Sequence, residues 1–133
     1  MKIAVIGAGA MGSLFGALLA EAGQQVTLLD IRRDHVDAVN ANGLCLEKDD
    51  SRRHVPIRAT ADPERIEKAD LAIVFVKSNH TAAAAKVAAR VSGAPFPVVT
   101  LQNGMGNAET LAEALDSSRV IAGTTSHGAT FLA

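Results

Sequence analysis

Apolar and polar positions along the 133-residue chain fall into short alternating blocks. Ile3–Ile6 is an apolar run rich in β-branched residues, stopped by Gly7, and predicts a buried strand. Strong helix formers follow from Ala10 to Ala22. There Met11, Leu14, Phe15, Leu18 and Leu19 recur at helical spacing, and Gly23 stands where a glycine would end the helix. Gln25–Leu29 predicts a second strand closing on Asp30, and Asp34–Asn42 a second helix with Val36 and Val39 on one face and Gly43 as its stop. Leu44–Lys48, a polar turn at Asp49-Asp50-Ser51, and His54–Arg58 predict a β-hairpin. Leu71–Val76 is nearly unbroken in its apolar character, which suits a parallel strand covered on both faces. An alanine-rich helix over Thr81–Val91, a strand over Pro97–Leu101, a helix over Ala108–Leu115 and a strand over Val120–Thr125 complete the pattern.

Strands alternating with helices of this length imply βαβ crossovers and a doubly wound, mostly parallel α/β sheet, one domain over residues 1–133. Hydrophobic residues make up 48% of the chain, enough for a packed core. Thirteen Lys and Arg against 14 Asp and Glu leave a net charge of −1, no electrostatic footprint for nucleic acid or an anionic membrane. Four Phe with no Tyr or Trp leave little for stacking on bases. No apolar run approaches the roughly 20 residues that span a bilayer. The strand pattern begins at once, without a secretory leader, and the single Cys45 forms no internal disulfide; a cytoplasmic setting is the default.

Candidate chemistry begins where the first strand ends. Gly7-Ala8-Gly9-Ala10-Met11-Gly12 is a full G-x-G-x-x-G that runs directly into a helix. In a dinucleotide site Gly7 allows the tight turn, Gly9 lets the backbone approach a pyrophosphate, and Gly12 lets helix and strand pack closely. The helix N-terminus then offers N–H groups and a positive dipole end to the phosphates. Asp30, after the second strand, suits the ribose hydroxyls of NAD, or serves only as a charge at a helix start. Arg32 and Arg33 follow at once; a guanidinium there suits the 2′-phosphate of NADP, or belongs to a solvated helix entrance. The two signals point in opposite directions.

Further along stand Val76-Lys77, Leu101-Gln102-Asn103-Gly104-Met105-Gly106-Asn107 and Gly123-Thr124-Thr125-Ser126-His127-Gly128-Ala129. With Gly7–Gly12, in this order and spacing, the chain resembles the N-terminal, nucleotide-binding half of the ketopantoate reductases (2-dehydropantoate 2-reductases), over essentially its whole length. The resemblance implies a Rossmann-type fold and NADPH-dependent reduction of a 2-keto acid to a 2-hydroxy acid, ketopantoate to pantoate, on the way to pantothenate and coenzyme A. It implies that Gly7–Gly12 hold the pyrophosphate, that Lys77 and Asn103 line the cleft beside nicotinamide and substrate, and that Ala129 meets the cofactor through its backbone. It also implies that Arg32 meets the NADP phosphate. Two residues depart from the pattern. Asp30 is typical of NAD-using relatives, including 2-hydroxy-acid dehydrogenases of the same fold, and His80 stands where a glutamine is common. The family's second, helical domain, which supplies a catalytic lysine and a substrate-holding glutamate, has no counterpart here, so no catalytic residue is assigned in this chain. Residues 1–133 alone are expected to bind dinucleotide and to turn over poorly. A stand-alone dinucleotide-binding or sensor module is the alternative, and the oligomeric state, a homodimer included, stays open.

Read without the family, Lys77 is either an ordinary lysine at a strand exit or a point charge for a carboxylate or phosphate. Asn103 is either a turn former or a donor and acceptor for a carboxamide or carbonyl. His127 suits a general acid or a hydrogen-bonded structural role, and His80 is equally open. His35 and His54 read as surface residues, Cys45 as packing in a hairpin strand, and the scattered histidines form no metal site. The alanines of residues 82–89 read as a helix packed tightly on the sheet, with a contact to a partner helix as the alternative.

Overall fold

A computed structural model describes residues 1–48, 51–66, 68–75, 81–91, 97–100 and 120–122. Its strands are β1 (Lys2–Ile6), β2 (Gln25–Leu29), β3 (Leu44–Lys48), β4 (Ser51–Val55), β5 (Arg58–Thr60), β6 (Leu71–Val74), β7 (Val98–Thr100) and β8 (Val120–Ala122). Its helices are α1 (Ala10–Glu21), α2 (Arg33–Asn42) and α3 (Thr81–Val91). Six strands form one sheet in the order β5-β2-β1-β6-β7-β8, every pairing parallel. Setting aside the β3–β4 hairpin, this is the 3-2-1-4-5-6 order of a Rossmann-type sheet. Ile6 pairs with Leu29 on one side and Val74 on the other, and Val74 with Thr100. The C-terminal ends of these strands therefore share one edge of the sheet.

The period-two alternation within β1 divides the protein into two cores. Ala4 and Ile6 face the layer of α3, with Val74, Ala84, Ala85, Ala88 and Val91. Ile3 and Val5 face the layer of α1 and α2, with Ala17, Leu28, Val36, Val39, Leu44 and Val55. A parallel sheet covered on both faces needs apolar residues on both, which is why its strands read as unbroken apolar runs. Leu28, Val5, Val74, Val91 and Val98 are fully buried, and each contributes roughly 1.5–3 kcal/mol relative to exposure. In α3, Ala84, Ala85 and Ala88 are buried against the sheet, Ala85 and Ala88 with no exposed surface, which fits the tight helix-on-sheet reading, whereas Ala83 is exposed. Among the described residues no helix is long and apolar enough to cross a membrane.

Two expectations need correction. The hairpin's second strand is Ser51–Val55, with Lys48 opposite Ser51, and not His54–Arg58. Arg58–Thr60 instead joins the main sheet beside β2 as an edge strand. Its backbone is held from outside by one side chain: the Asn40 amide donates to the Ala59 carbonyl at 2.8 Å and its oxygen accepts from the Ala59 N–H at 2.9 Å. An asparagine on a helix thus does the work of a neighbouring strand, a contact too distant in sequence for local pattern to reveal. Helix α1, found where the sequence places it, packs through small residues. Its buried residues are Gly12, Ser13, Gly16 and Ala17, while Leu18 is exposed and Met11, Leu14, Phe15 and Leu19 are only half-buried. Small residues face the sheet because helix and strands approach closely there: a Cβ on Gly16 would lie 2.6 Å from Leu28 Cδ2. The second correction is Cys45, which is exposed on β3, opposite His54, and not packed; Leu44 takes the buried position of that strand. His54 is exposed as expected, whereas His35 is half-buried. The helix expected over 108–115 lies outside the described residues.

Candidate functional site

The site starts at the C-terminal end of β1. The Gly7 N–H donates to the Leu29 carbonyl at 2.8 Å, carrying the ladder one residue beyond the strand. The chain then turns away at Gly7 with φ of 100°, a conformation that costs glycine nothing and other residues a good deal. Ala8 is buried, and its carbonyl accepts from the Ser13 hydroxyl at 2.9 Å. Gly9 is the N-cap of α1, with φ of −73° and no side-chain cap, and the first turn carries no acidic residue. Its N–H groups and the positive end of the helix dipole therefore keep their capacity for an anion.

Three glycines of the region differ in what excludes a side chain. A Cβ on Gly12 would stand 1.9 Å from the Gly7 carbonyl oxygen, so the loop itself forbids one. On Gly16 the obstacle is a core leucine. On Gly9 a Cβ would meet nothing within 4 Å among the described residues. Their packing thus leaves the space above Gly9 open.

Asp30 closes the other wall. Its backbone N–H donates to the Thr60 carbonyl at 3.1 Å, fixing the residue at the end of β2. Its carboxylate accepts four hydrogen bonds: Oδ2 from the Ala8 N–H at 3.0 Å and from Arg32 Nη2 at 2.9 Å, Oδ1 from the Arg32 N–H at 2.9 Å and from Arg32 Nε at 2.8 Å. Arg32 Nη2 also donates to the Ala8 carbonyl at 3.0 Å, so the guanidinium bridges the strand end and the glycine loop. The two residues whose signals conflict in the sequence are partners here. Arg33 is exposed, at the first position of α2. Between the pair, Ile31 is 85% exposed, the most exposed large apolar side chain among the described residues.

Burial alone would raise the Asp30 pKa, but the hydrogen bonds from Arg32 and Ala8 and the Arg32 charge outweigh it and hold the carboxyl below the ordinary 3.8. Arg32 is held above its ordinary value chiefly by its hydrogen bonds to Asp30. The sign for stability follows: a depressed carboxyl contributes above its unfolded value, and the contribution is lost as pH falls through the folded one. In a carbon-detected NMR titration the Asp30 carboxyl is expected to titrate with a midpoint below 3.8. A midpoint above that value would contradict the pairing.

Of the residues singled out from sequence, Gly7, Ala8, Gly9, Ala10, Met11, Gly12, Asp30 and Arg32 come together at this edge. Lys77, Asn103 and Ala129, with His80 and His127, lie outside the described residues. Four contributors escape sequence reasoning. Ser13 supports Ala8, Gly16 lets α1 approach, Thr60 anchors Asp30, and Phe75, stacked on Phe15 with ring centroids 5.4 Å apart, stands beside Gly12. Gly16 was the most accessible of these, since it continues the small-residue face begun at Gly12.

Sheet order, glycine loop and acidic strand end together define a Rossmann-type α/β domain. The family model described as ketopantoate reductase PanE/ApbA matches residues 3–133, and the chain belongs to that family of oxidoreductases. It is 42% identical over 130 residues to a 2-dehydropantoate 2-reductase of Halobacterium salinarum, covering 97% of this chain and 43% of that one. A PanE/ApbA family ketopantoate reductase from Ralstonia eutropha JMP134 superposes with a TM-score of 0.81 at 38% identity, over 93% of this chain and 40% of that one. D-mandelate dehydrogenase, solved with NADH and anilino(oxo)acetate, superposes with a TM-score of 0.89 at 27% identity, over 96% and 41%. The chain spans about two fifths of the length of the curated relatives it matches.

Proposed function

We propose that these residues form the dinucleotide-binding part of a reductase that converts a 2-keto acid, ketopantoate, into the 2-hydroxy acid pantoate, a step toward pantothenate and coenzyme A. The observation that carries this reading is the open cradle over Gly9, beside an uncapped helix N-terminus and a carboxylate at the end of β2. These residues fit a nicotinamide dinucleotide. Gly9 and the first-turn N–H groups of α1 receive the pyrophosphate, and Asp30 and Arg32 meet the adenosine ribose. A nicotinamide dinucleotide held by these residues would supply hydride chemistry to a keto carbon. By the family resemblance, Lys77 and Asn103 would orient the carboxylate or the carboxamide. The proton for the new hydroxyl comes from a group outside these residues, as the family resemblance implies. Family membership favours NADPH. Asp30 and the NADH-bound mandelate dehydrogenase support NADH as a second reading, that of an NAD-dependent 2-hydroxy-acid dehydrogenase.

The test is absorbance at 340 nm with ketopantoate and either reduced dinucleotide, for the complete gene product carrying these residues and for residues 1–133 alone. The complete product is expected to oxidise dinucleotide in step with hydroxy-acid formation. Residues 1–133 are expected to bind it yet turn over at least about 100-fold more slowly, because the reacting groups are not all held in place. A complete product inert toward 2-keto acids, or equal rates for the two proteins, would contradict the proposal.

A further inference from the structure

We propose that Arg32 is an internal competitor for the ribose-binding carboxylate, so that it opposes NADH binding and supports NADPH binding through the same residue. The inference rests on the dinucleotide-site reading above and goes beyond it by assigning Arg32 two effects of opposite sign.

The argument is an accounting of acceptor positions. A carboxylate offers about four lone-pair sites, and in Asp30 four hydrogen bonds occupy them. Two come from backbone, the Ala8 N–H on Oδ2 and the Arg32 N–H on Oδ1. The other two come from the Arg32 side chain, one on each oxygen. When the guanidinium swings away, the backbone bonds keep the carboxylate in place and one acceptor site opens on each oxygen. Two adjacent acceptors of this kind match the two vicinal hydroxyls of an adenosine ribose. In the closed arrangement the guanidinium's Nε and Nη2 stand where those hydroxyls would donate.

The swing does not strand the loop. The Ala8 carbonyl, which accepts from Arg32 Nη2, keeps the Ser13 hydroxyl at 2.9 Å. The exposures separate a fixed member from a movable one: the Asp30 side chain is 9% exposed and that of Arg32 40%. With NADPH the requirement reverses. A 2′-phosphate beside Asp30 meets a charge of its own sign, and a guanidinium between them is what makes the site tolerable. Arg32 released from the carboxylate is placed at that rim to bind the phosphate.

The test is calorimetric titration of NADH and NADPH into the wild type, Arg32→Ala, Arg32→Lys and Asp30→Asn, each first shown folded by circular dichroism. Arg32→Ala is expected to bind NADH about fivefold more tightly, the strength of a half-exposed ion pair no longer broken. The same variant is expected to bind NADPH at least about tenfold more weakly, having lost a charge-assisted contact to phosphate. Arg32→Lys keeps the charge without the two-pronged grip, so NADH tightens while NADPH changes by less than in Arg32→Ala. Asp30→Asn shifts preference toward NADPH. Effects of equal sign on both dinucleotides in Arg32→Ala, or NADH affinity unchanged in both Arg32 variants, would overturn the competitor role and leave the site reading standing. A folded wild type that binds neither dinucleotide would overturn the site reading and this inference with it.

Discussion

Gly9→Ala is expected to leave the fold intact and to weaken dinucleotide binding by about 100-fold or more, close to 3 kcal/mol. The backbone at Gly9 has φ of −73°, open to any L residue, and the new methyl meets no atom of the described residues within 4 Å. An alanine in place of glycine at an N-cap costs at most about 1 kcal/mol, a shift of only a few degrees in melting temperature for a domain of this size. Among the described residues the methyl obstructs nothing, so a loss of affinity reports a ligand pressed against the loop. Calorimetric titration alongside thermal unfolding separates the two effects. Unchanged affinity in a folded variant would place the pyrophosphate elsewhere.

At Gly12 the expectation is reversed: alanine attacks the fold itself. Its Cβ would lie 1.9 Å from the Gly7 carbonyl oxygen, 3.0 Å from the Gly7 carbonyl carbon and 3.4 Å from Phe75 Cβ. The nearest atoms belong to backbone, so no rotamer change relieves the clash; the turn at Gly7 and the start of α1 must separate. A loss of about 4 kcal/mol or more is expected, a large part of the 5–15 kcal/mol typical of a whole domain. Gly16→Ala is the internal comparison. There the obstacle is Leu28 Cδ2, the far end of a flexible side chain, and the expected loss is about 1–3 kcal/mol. Urea unfolding of the three variants should rank them Gly9, Gly16, Gly12 in increasing damage. A Gly12→Ala protein as stable as the wild type would show that loop and helix are not locked together as described.

These contrasts mark what could be read from sequence. The strand–loop–helix start at Gly7–Gly12 was legible because each step is local: a β-branched run, a glycine triplet and a block of helix formers. So was the split of β1 between two cores, since alternation along an apolar strand of a covered sheet implies both faces are buried. Which face of α1 packs does not follow from its large apolar residues, which usually mark the buried side. Here close approach to β2 reserves that side for Gly12, Ser13, Gly16 and Ala17. β5 escaped notice for a different reason. Three residues ending in Thr60 carry almost no pattern, and the Asn40 amide that secures them comes from α2. At the site, Asp30 and Arg32 were both recognised as ribose-proximal, yet their mutual pairing depends on side-chain geometry that spacing does not encode.

The central claim is that the glycine loop and the first turn of α1 receive a dinucleotide. Amide NMR of residues 1–133 during titration with NADH and NADPH tests it most directly. The amides of Gly9, Ala10, Met11 and Gly12 are expected to shift together and saturably, with those of Ala8 and Arg32 moving as the ribose end engages. A folded protein whose loop amides stay still would contradict the account. So would shifts confined to the opposite edge of the sheet, around Lys2, Gln25 and Arg58.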